Sequence, residues 1–176
     1  MEALVSLNDL LTYKYISDSV RNSAIWPQFV VEAQLLDVKP FIGDQLLSEL
    51  NDQASTSPTS FSTANQTLLD GGKYVYDSKN YIFQGLKACI IYYAFSRFES
   101  KSPYNHTAMG IVQKTSDYSD PVSDKAIQRL STENLMIADA IREEVILFLK
   151  RNKTTYPLFE CSGTKRQSRT FTVIGD

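Results

Sequence analysis

The strongest constraint in this sequence is an uninterrupted apolar run from Ala88 to Phe95. It lies inside a stretch from about Gln84 to Glu99 whose apolar residues fall on every side of a helix with about 3.6 residues per turn. A helix without a polar face is usually covered on all sides. The run is also far shorter than the roughly 20 apolar residues that cross a bilayer. We therefore predict a central helix that the other segments surround.

Length and composition indicate a single globular domain around this helix. The chain has 176 residues, of which 43% are hydrophobic and 22% are charged, close to the average for soluble domains. A chain of this size buries roughly 70% of the surface that its unfolded form exposes, so it needs no metal or disulfide to hold a core. Cys89 lies in the apolar run and Cys161 is far from it, which favours free thiols in a reducing compartment.

Three shorter helices are predicted before the central one. Ser6 followed by Asp9 is typical of a capped helix start, and Asn22-Ser23 with Pro27 in the first turn indicates a second start. Pro40 either ends this second segment or begins the third. The apolar residues at helical spacing are Ile25, Phe29, Val30, Ala33 and Leu36 in the second helix and Phe41, Ile42, Leu46, Leu47 and Leu50 in the third.

Two small features qualify this helical region. Gly43 lies inside the predicted third helix, where we interpret it as a close packing contact with a neighbouring backbone. The stretch from Gln53 to Ala64 is rich in Ser and Thr and contains Pro58, so we predict a mobile surface loop there. An apolar pattern resumes after this loop, so it is not a domain boundary.

A β-hairpin is predicted at about residues 72–83, after the pair Gly71-Gly72. Tyr74–Tyr76 and Tyr81–Phe83 have strand-forming residues, and the polar Asp77–Asn80 segment between them is predicted as the turn. Two strands alone are marginally stable, so the hairpin must lie on the helices, a neighbouring subunit or a partner. Tyrosine combines a large apolar ring with a polar tip and is common in interfaces.

The longest predicted helix starts at Asp120-Pro121 or at Ser123 and ends near Arg151. Asn134 interrupts its apolar face. At ~1.5 Å per residue this helix is roughly 45 Å long, more than a domain of this size needs, so we expect one end to reach a partner. The predicted buried stripe consists of Ile127, Leu130, Ile137, Ile141, Val145 and Phe148.

We place the helical domain at residues 1–156 and an extended tail at residues 157–176. The tail is locally basic, although the net charge of the whole chain is −2. The segment Phe171–Ile174 has strand-forming residues, and a strand without a partner in its own chain is a candidate for adding to a neighbour's sheet edge. The candidate interface residues of hairpin and tail are Tyr74, Tyr76, Tyr81, Lys165, Arg166, Arg169, Phe171 and Val173.

No pattern in the sequence predicts catalysis, a metal or a cofactor. His106 is the one histidine and lies in the loop-like stretch Pro103–Thr107, without the glycines of a nucleophile elbow. One histidine and two distant cysteines are too few for a zinc site, and no glycine-rich phosphate loop is present. Asp117, Asp120 and Asp124 lack calcium-loop spacing and suit a helix N-terminus. We therefore expect that the protein is not an enzyme.

The charge balance argues against a general affinity for nucleic acid or for an anionic membrane. The acidic start Met1–Asp9 lacks the basic residues of a secretory signal, so we expect a cytoplasmic location before any assembly. Two alternatives stay open: a small helical DNA-binding regulatory module that uses the second and third helices, and a hydrolase built on His106.

Several strings of this sequence, taken together and in order, resemble one family. The family is that of the head-to-tail connector, or adaptor, proteins of tailed bacteriophages, as encoded by phages of Bacteroides-like hosts, including crAss-like phages. The resemblance covers roughly Leu4 to Phe159 and omits the Ser/Thr-rich loop and the tail. The strings are Ala33-Gln34, Pro40–Gly43, Leu68–Tyr74, Gly85–Ala88 with Tyr92-Tyr93 and Arg97, and Gly110–Ser116 with Tyr118-Ser119 and Pro121.

This resemblance implies a mainly α fold: a helical bundle with a long C-terminal helix, a small hairpin and an extended tail. It also implies a virion protein without substrate, which assembles as a ring, commonly of twelve copies, between the portal protein and further connector or tail proteins. Genomic DNA would pass through the ring without specific contacts. Each subunit would then present two different surfaces to its two neighbours.

Overall fold

The computed structural model describes residues 1–14, 25–56, 60–101, 104–107, 110–113 and 123–159. Two antiparallel pairs accompany the helices: β1 (Gly72–Tyr76) with β2 (Lys79–Phe83), and β3 (Tyr104–Thr107) with β4 (Gly110–Gln113). The fold is mainly α, with a small hairpin and a long C-terminal helix, as predicted. The helices are α1 (Leu7–Tyr13), α2 (Trp26–Ala33), a π-helix (Gln34–Val38), α3 (Lys39–Ile42), α4 (Asp44–Ser55), α5 (Thr63–Asp70), α6 (Leu86–Lys101) and α7 (Asp124–Arg151).

Helix α6 is the centre of the core, which confirms the prediction from the apolar run. Helix α7 makes its most extensive contact, and α2, α5 and α1 cover other sides. Cys89 is a buried free thiol whose Sγ lies 3.6 Å from the carbonyl oxygen of Ala138, so α6 and α7 approach closely there. The buried residues of α6 are Leu86, Ala88, Cys89, Ile90, Ile91, Tyr93, Ala94, Phe95 and Ser96.

The predicted helix starts are mostly confirmed. The Ser6 side chain accepts from the backbone N–H of Asp9, and the Asp9 side chain accepts from the backbone of Ser6. Ser123 caps α7 by accepting from the Ala126 N–H. Pro27 lies in the first turn of α2, as predicted. The residue before this helix is Ile25, whose side chain makes no capping hydrogen bond. The predicted start at Asn22-Ser23 lies outside the described residues.

Pro40 begins a helix, and the widened π-helical turn precedes it. Proline has no N–H, and its ring would clash with the carbonyl four residues earlier in a regular helix. In the wider turn the Lys39 N–H donates to the carbonyl oxygen of Gln34, five residues earlier. Leu36, which lies in this turn and was predicted on the buried stripe, is exposed. Ile25, also predicted on that stripe, is exposed just before the start of α2.

Gly43 divides what the sequence predicts as one third helix. It is the residue between α3 and α4, and its φ of 87° is a conformation that favours glycine, so it ends one helix where the next begins. The apolar residues of both pieces are buried as predicted. They are Phe41 and Ile42 in α3 and Leu46, Leu47 and Leu50 in α4.

The buried face of α7 differs from the predicted stripe. Ile141, Val145 and Phe148 are buried, but Leu130 and Ile137 are exposed and Ile127 is only half-buried. In the N-terminal half of the helix the inward positions are instead polar or small. These inward residues are Ser131, Asn134 and Ala138.

Two stretches predicted as loops contain regular structure. Helix α4 continues to Ser55 and α5 starts at Thr63, so the predicted loop over Gln53–Ala64 is helical at both ends. The stretch around His106 is part of β3, which pairs with β4. Strand β4, Gly110–Gln113, is its antiparallel partner.

The core extends beyond the predicted domain boundary at residue 156. Tyr156 is buried, and its hydroxyl donates to the carbonyl of Ala64 at 2.6 Å. Phe159 is also buried and belongs to the same hydrophobic core. The predicted tail residues from 160 to 176, including Cys161, lie outside the described residues.

A tight glycine neck joins the first hairpin to the helices. Gly71 (φ 75°) and Gly85 (φ 85°) touch through their backbones, so that a Cβ on Gly71 would lie 2.5 Å from the carbonyl carbon of Gln84. A Cβ on Gly85 would lie 2.5 Å from the Gly71 nitrogen. Only glycine combines this backbone conformation with this approach.

We predict that Gly71→Ala lowers the free energy of unfolding by at least ~3 kcal/mol, because backbone strain adds to a clash with backbone atoms. Gly72→Ala is the matched control, since Gly72 also has a positive φ (134°) but nothing lies within 4 Å of its added Cβ. That control should cost only about 1–2 kcal/mol. Urea unfolding followed by the fluorescence of the buried Trp26 measures both; equal losses would contradict the steric role of the neck.

Candidate interaction surfaces

Buried charged groups in the described part of the chain connect helices to one another. Arg97 on α6 donates to the Asp37 carboxylate from Nε at 2.9 Å and from a terminal nitrogen at 2.6 Å. The Asp37 side chain is only 1% exposed, so the arginine supplies the charge that its burial requires. The π-helix places Asp37 there and is thereby locked to α6.

Lys87, at the other end of α6, forms a second junction. Its ammonium lies 3.3 Å from Asp9 of α1 and 2.8 Å from Asp70 of α5. Burial alone would raise the pKa of Asp9, but the hydrogen bonds from Ser6 and the charge of Lys87 outweigh it and lower that pKa below its ordinary value. Burial would lower the pKa of Lys87, and the two carboxylates outweigh it and raise that pKa.

A polar seam of hydrogen bonds runs between α6 and the N-terminal half of α7. The Ser131 hydroxyl lies 2.8 Å from the hydroxyls of both Ser96 and Ser100. Asn134 donates from Nδ2 to Glu99 at 2.6 Å. Because these groups are hydrogen-bond partners of one another, the seam is a helix-helix contact and not an open site.

Further along α7, Tyr93 donates to Asp139 at 2.5 Å, and Asp139 in turn accepts from Arg142 at 3.2 Å. Burial, together with nearby Cys89 and Asp139, raises the pKa of the Tyr93 hydroxyl. A tyrosine held in its neutral form by burial is a hydrogen-bond donor and not a nucleophile. This cluster also connects α6 to α7.

The tyrosines of the first hairpin meet the C-terminal end of α7. Tyr74 stacks on its cross-strand partner Tyr81 with ring centres 5.5 Å apart and meets Phe148 edge-on at 5.0 Å. The guanidinium carbon of Arg151 lies 3.9 Å from the Tyr81 ring centre, and Arg151 donates to the Tyr74 hydroxyl at 2.8 Å. Phe83 stacks on Phe148 at 4.0 Å. The hairpin is thus fixed to the helix by one of its two faces.

The opposite face of the hairpin is uncovered and carries two large apolar side chains beside Lys73 and Asn80. The turn is formed by Asp77 and Ser78 alone, both with positive φ, and not by the predicted Asp77–Asn80 segment. Alternation along the strands then puts Val75 and Ile82 on the side away from α7, where they are 67% and 69% exposed. We call Val75 and Ile82 the hairpin outer face.

A second uncovered apolar set lies on α7. At 100° per residue these side chains lie on an arc of roughly 120° beside the buried face. Met136 is 67% exposed, and the others are also exposed. We call this set the α7 outer stripe, and its members are Leu130, Met136, Ile137 and Leu147. Leu35 and Leu36 of the π-helix form a smaller exposed pair.

The structure separates the predicted interface residues into three groups. Tyr74 and Tyr81 are half-buried against α7, and Tyr76 is exposed with Arg151 5.0 Å from its ring centre. The hairpin outer face was missed by sequence reasoning, although strand alternation from the Tyr74–Tyr81 pair indicates it. The predicted tail residues Lys165, Arg166, Arg169, Phe171 and Val173 lie outside the described residues.

Between residues 1 and 159, leaving out the gaps named above, no three His, Cys, Asp or Glu side chains are grouped to hold a metal ion. None of the helices described is both long and apolar enough to span a bilayer. Of the three predicted acids, Asp124 lies in the first turn of α7, whereas Asp117 and Asp120 lie outside the described residues.

The pH dependence of stability should report on Glu99. Burial raises its pKa, and the hydrogen bond from Asn134 offsets this only in part. The folded protein therefore binds the Glu99 proton more tightly than the unfolded chain, and the stability that this provides at low pH is lost as the pH rises through the raised pKa. Glu99→Gln should stabilise the protein at pH 7 and leave it nearly unchanged at pH 4. Urea titrations at both pH values measure this; equal effects would contradict it.

Arg151 should hold the hairpin on α7. Arg151→Met keeps the length of the side chain but removes the cation over Tyr81 and the donor to Tyr74, so we expect a loss of about 1 kcal/mol in the free energy of unfolding. Hydrogen exchange of the β1 and β2 amides should also become faster. Lys150→Met is the matched control, because Lys150 is exposed on the same turn. A hairpin whose exchange is unaffected by Arg151→Met would contradict the anchor.

Comparison with known proteins identifies a family. No curated protein and no solved structure matches the chain. One family model matches residues 38–169, which include the π-helix end, the glycine neck, the first hairpin, α6 and α7. The chain belongs to DUF6712, a family of unknown function.

Proposed function

We propose that this protein is a structural virion protein, a head-to-tail connector that forms a ring, joins the portal vertex to the tail and lines the DNA channel. The resemblance of its sequence strings to phage connector proteins suggests this role. It requires a rigid subunit with two different contact surfaces, one for each neighbour, because a closed ring is built from heterologous contacts. It requires no substrate and no cofactor.

The observation that carries the proposal is the pair of uncovered apolar faces. The hairpin outer face and the α7 outer stripe expose large apolar side chains on different elements. At the same time α7 turns Ser131 and Asn134 inward. Apolar patches that remain on a subunit surface are typical of protein interfaces. One face for each neighbour is the arrangement that a ring needs.

The buried charged groups support a structural role and not a catalytic one. Asp37, Lys87 and Tyr93 each bond a group on another helix, so their chemistry serves helix packing. A catalytic group is instead expected to face a cleft that a substrate enters. We therefore assign these groups to the rigidity of the subunit.

The alternative of a DNA-binding module on the second and third predicted helices has little electrostatic support. Phosphate contacts supply most of the affinity of such modules and need Lys or Arg. Residues 25–56 contain one basic residue, Lys39, which is 3.1 Å from Asp44. The same range has an excess of acids, which suits a surface that DNA passes without binding. The acids with exposed or half-buried side chains are Glu32, Asp44, Glu49 and Asp52, whereas Asp37 is buried against Arg97.

Light scattering after size exclusion, alone and with the portal protein of the same genome, tests the ring. Wild type should exceed the 19.9 kDa of one chain, and twelve copies would give about 240 kDa. Ile137→Glu on the α7 outer stripe and Ile82→Glu on the hairpin outer face should each reduce the mass toward one chain. Neither should lower stability by more than ~0.5 kcal/mol, since both sites are exposed.

Gln128→Glu is the matched control, because it adds the same charge to an exposed position on another side of α7. It should leave assembly unchanged. A wild-type protein that stays at one chain at every concentration, and that does not bind the portal protein, would refute the proposed function.

A further inference from the structure

We propose that the edge of β1 is a strand-binding site whose occupant is the C-terminal segment Thr170–Asp176 of a neighbouring copy. This rests on the proposed function, because it names the contact that links one subunit to the next. The segment would add as a third strand to the first hairpin. Main-chain hydrogen bonds would give affinity, and alternate side chains would give specificity.

The hairpin presents unpaired backbone groups at its edges. In a hairpin closed by a two-residue turn, the flanking pair Tyr76–Lys79 is of the hydrogen-bonded kind, and pairing alternates from there. Lys73 and Val75 on β1 therefore point their N–H and C=O groups outward. In the described part of the chain, this sheet has two strands and nothing pairs with its edges.

The edge of β1 is the more accessible of the two. Strand β2 makes the closer contact with α7, and directly after it the Gln84 N–H donates to Glu144 of α7 at 3.2 Å. A strand that arrives at β1 also meets the hairpin outer face, where Val75 is 67% exposed. Affinity and apolar burial would thus come from the same contact.

The tail begins close to the hairpin and has the composition of a strand. The described chain ends at Phe159, next to Tyr156, whose ring packs edge-on at 5.6 Å against Phe148 beneath the hairpin. From Phe159 to Phe171 an extended chain reaches up to about 40 Å, enough to extend past its own hairpin to that of an adjacent subunit. Residues 170–174 read Thr-Phe-Thr-Val-Ile, all of them favoured in strands.

An antiparallel alignment matches side chains as well as backbone. With Val173 beside Val75, the side chain of Val173 lies on the outer face with Val75 and Ile82. Gly175 then lies beside Lys73 of the β1 edge. Lys73 is an exposed lysine on this edge, and an edge lysine disfavours indiscriminate strand pairing.

A labelled synthetic peptide of residues 169–176 tests the site directly. The receiver is the full chain carrying Val173→Pro, which disables its own tail segment because proline cannot donate to a strand ladder. We expect saturable binding in fluorescence anisotropy. A peptide that itself carries Val173→Pro should bind at least about tenfold more weakly.

Two edge variants of this receiver form a matched pair. Val75→Pro and Asn80→Pro each remove one outward N–H, on β1 and on β2 respectively, without removing a bond between the two strands. The first should abolish peptide binding and the second should preserve it, with Trp26 fluorescence confirming that both fold. Loss of binding with Asn80→Pro alone, or no binding to any receiver, would overturn the proposal.

Mixing two full-length variants identifies the source of the strand. Val75→Pro alone has a working tail and a blocked edge, and Val173→Pro alone has the reverse. If the strand comes from a neighbour's tail, the mixture should form a one-to-one pair that neither variant forms alone. If each tail docks on its own hairpin, no pair should form, and this result would overturn the neighbour assignment. Rings that form unchanged in both variants would overturn this inference and leave the proposed function standing. Peptide binding by a chain that never forms rings would support the strand-binding site and overturn the proposed function.

Discussion

The burial of the apolar part of α6, from Leu86 to Ser96, is the constraint on which the rest of the structure depends. A helix with apolar residues on all sides needs neighbours on all sides, and a chain of this length supplies them only from several short helices and one long one. α7, α2, α5 and α1 take these positions. Two basic residues of α6, Lys87 in its first turn and Arg97 toward its C-terminal end, bind carboxylates of the surrounding elements. Burial of one helix therefore determines the placement of the others.

This arrangement moves apolar side chains to the outside of the surrounding helices. The π-helix turns Gln34 and Asp37 inward, where Gln34 accepts from the Leu4 N–H at 2.8 Å, and leaves Leu35 and Leu36 exposed. α7 does the same in its N-terminal half, with Ser131 and Asn134 in the seam. Polar groups in these contacts are satisfied and define one register between helices. The helices are thereby fixed relative to one another while apolar side chains stay exposed on the surface.

The sequence predicts the parts of this fold that local patterns determine. The central helix, the capped starts at Ser6 and Ser123 and the existence of the first hairpin follow from periodicity and capping chemistry. The inward face of α7 does not, because a stripe of Leu130 and Ile137 is the better apolar choice and only the hydroxyls and the carboxylate of α6 make Ser131 and Asn134 suitable for burial. The sequence pattern likewise predicts Gly43 inside a helix, whereas its positive φ places it between two helices. Partners distant in sequence decide both cases.

The sequence marks the tyrosines of the hairpin more clearly than it marks the hairpin outer face. Tyr74 and Tyr81 stand out by type, yet their rings and hydroxyls are occupied by Phe148 and Arg151. Val75 and Ile82 are ordinary strand residues, and their exposure follows only from the attachment of the opposite face to α7. A hairpin that is anchored on one side and apolar on the other is more stable than two free strands but still has unpaired edges. In the assembly that we propose, such a hairpin would accept a further strand without reorganising, so the entropic cost of binding would stay small.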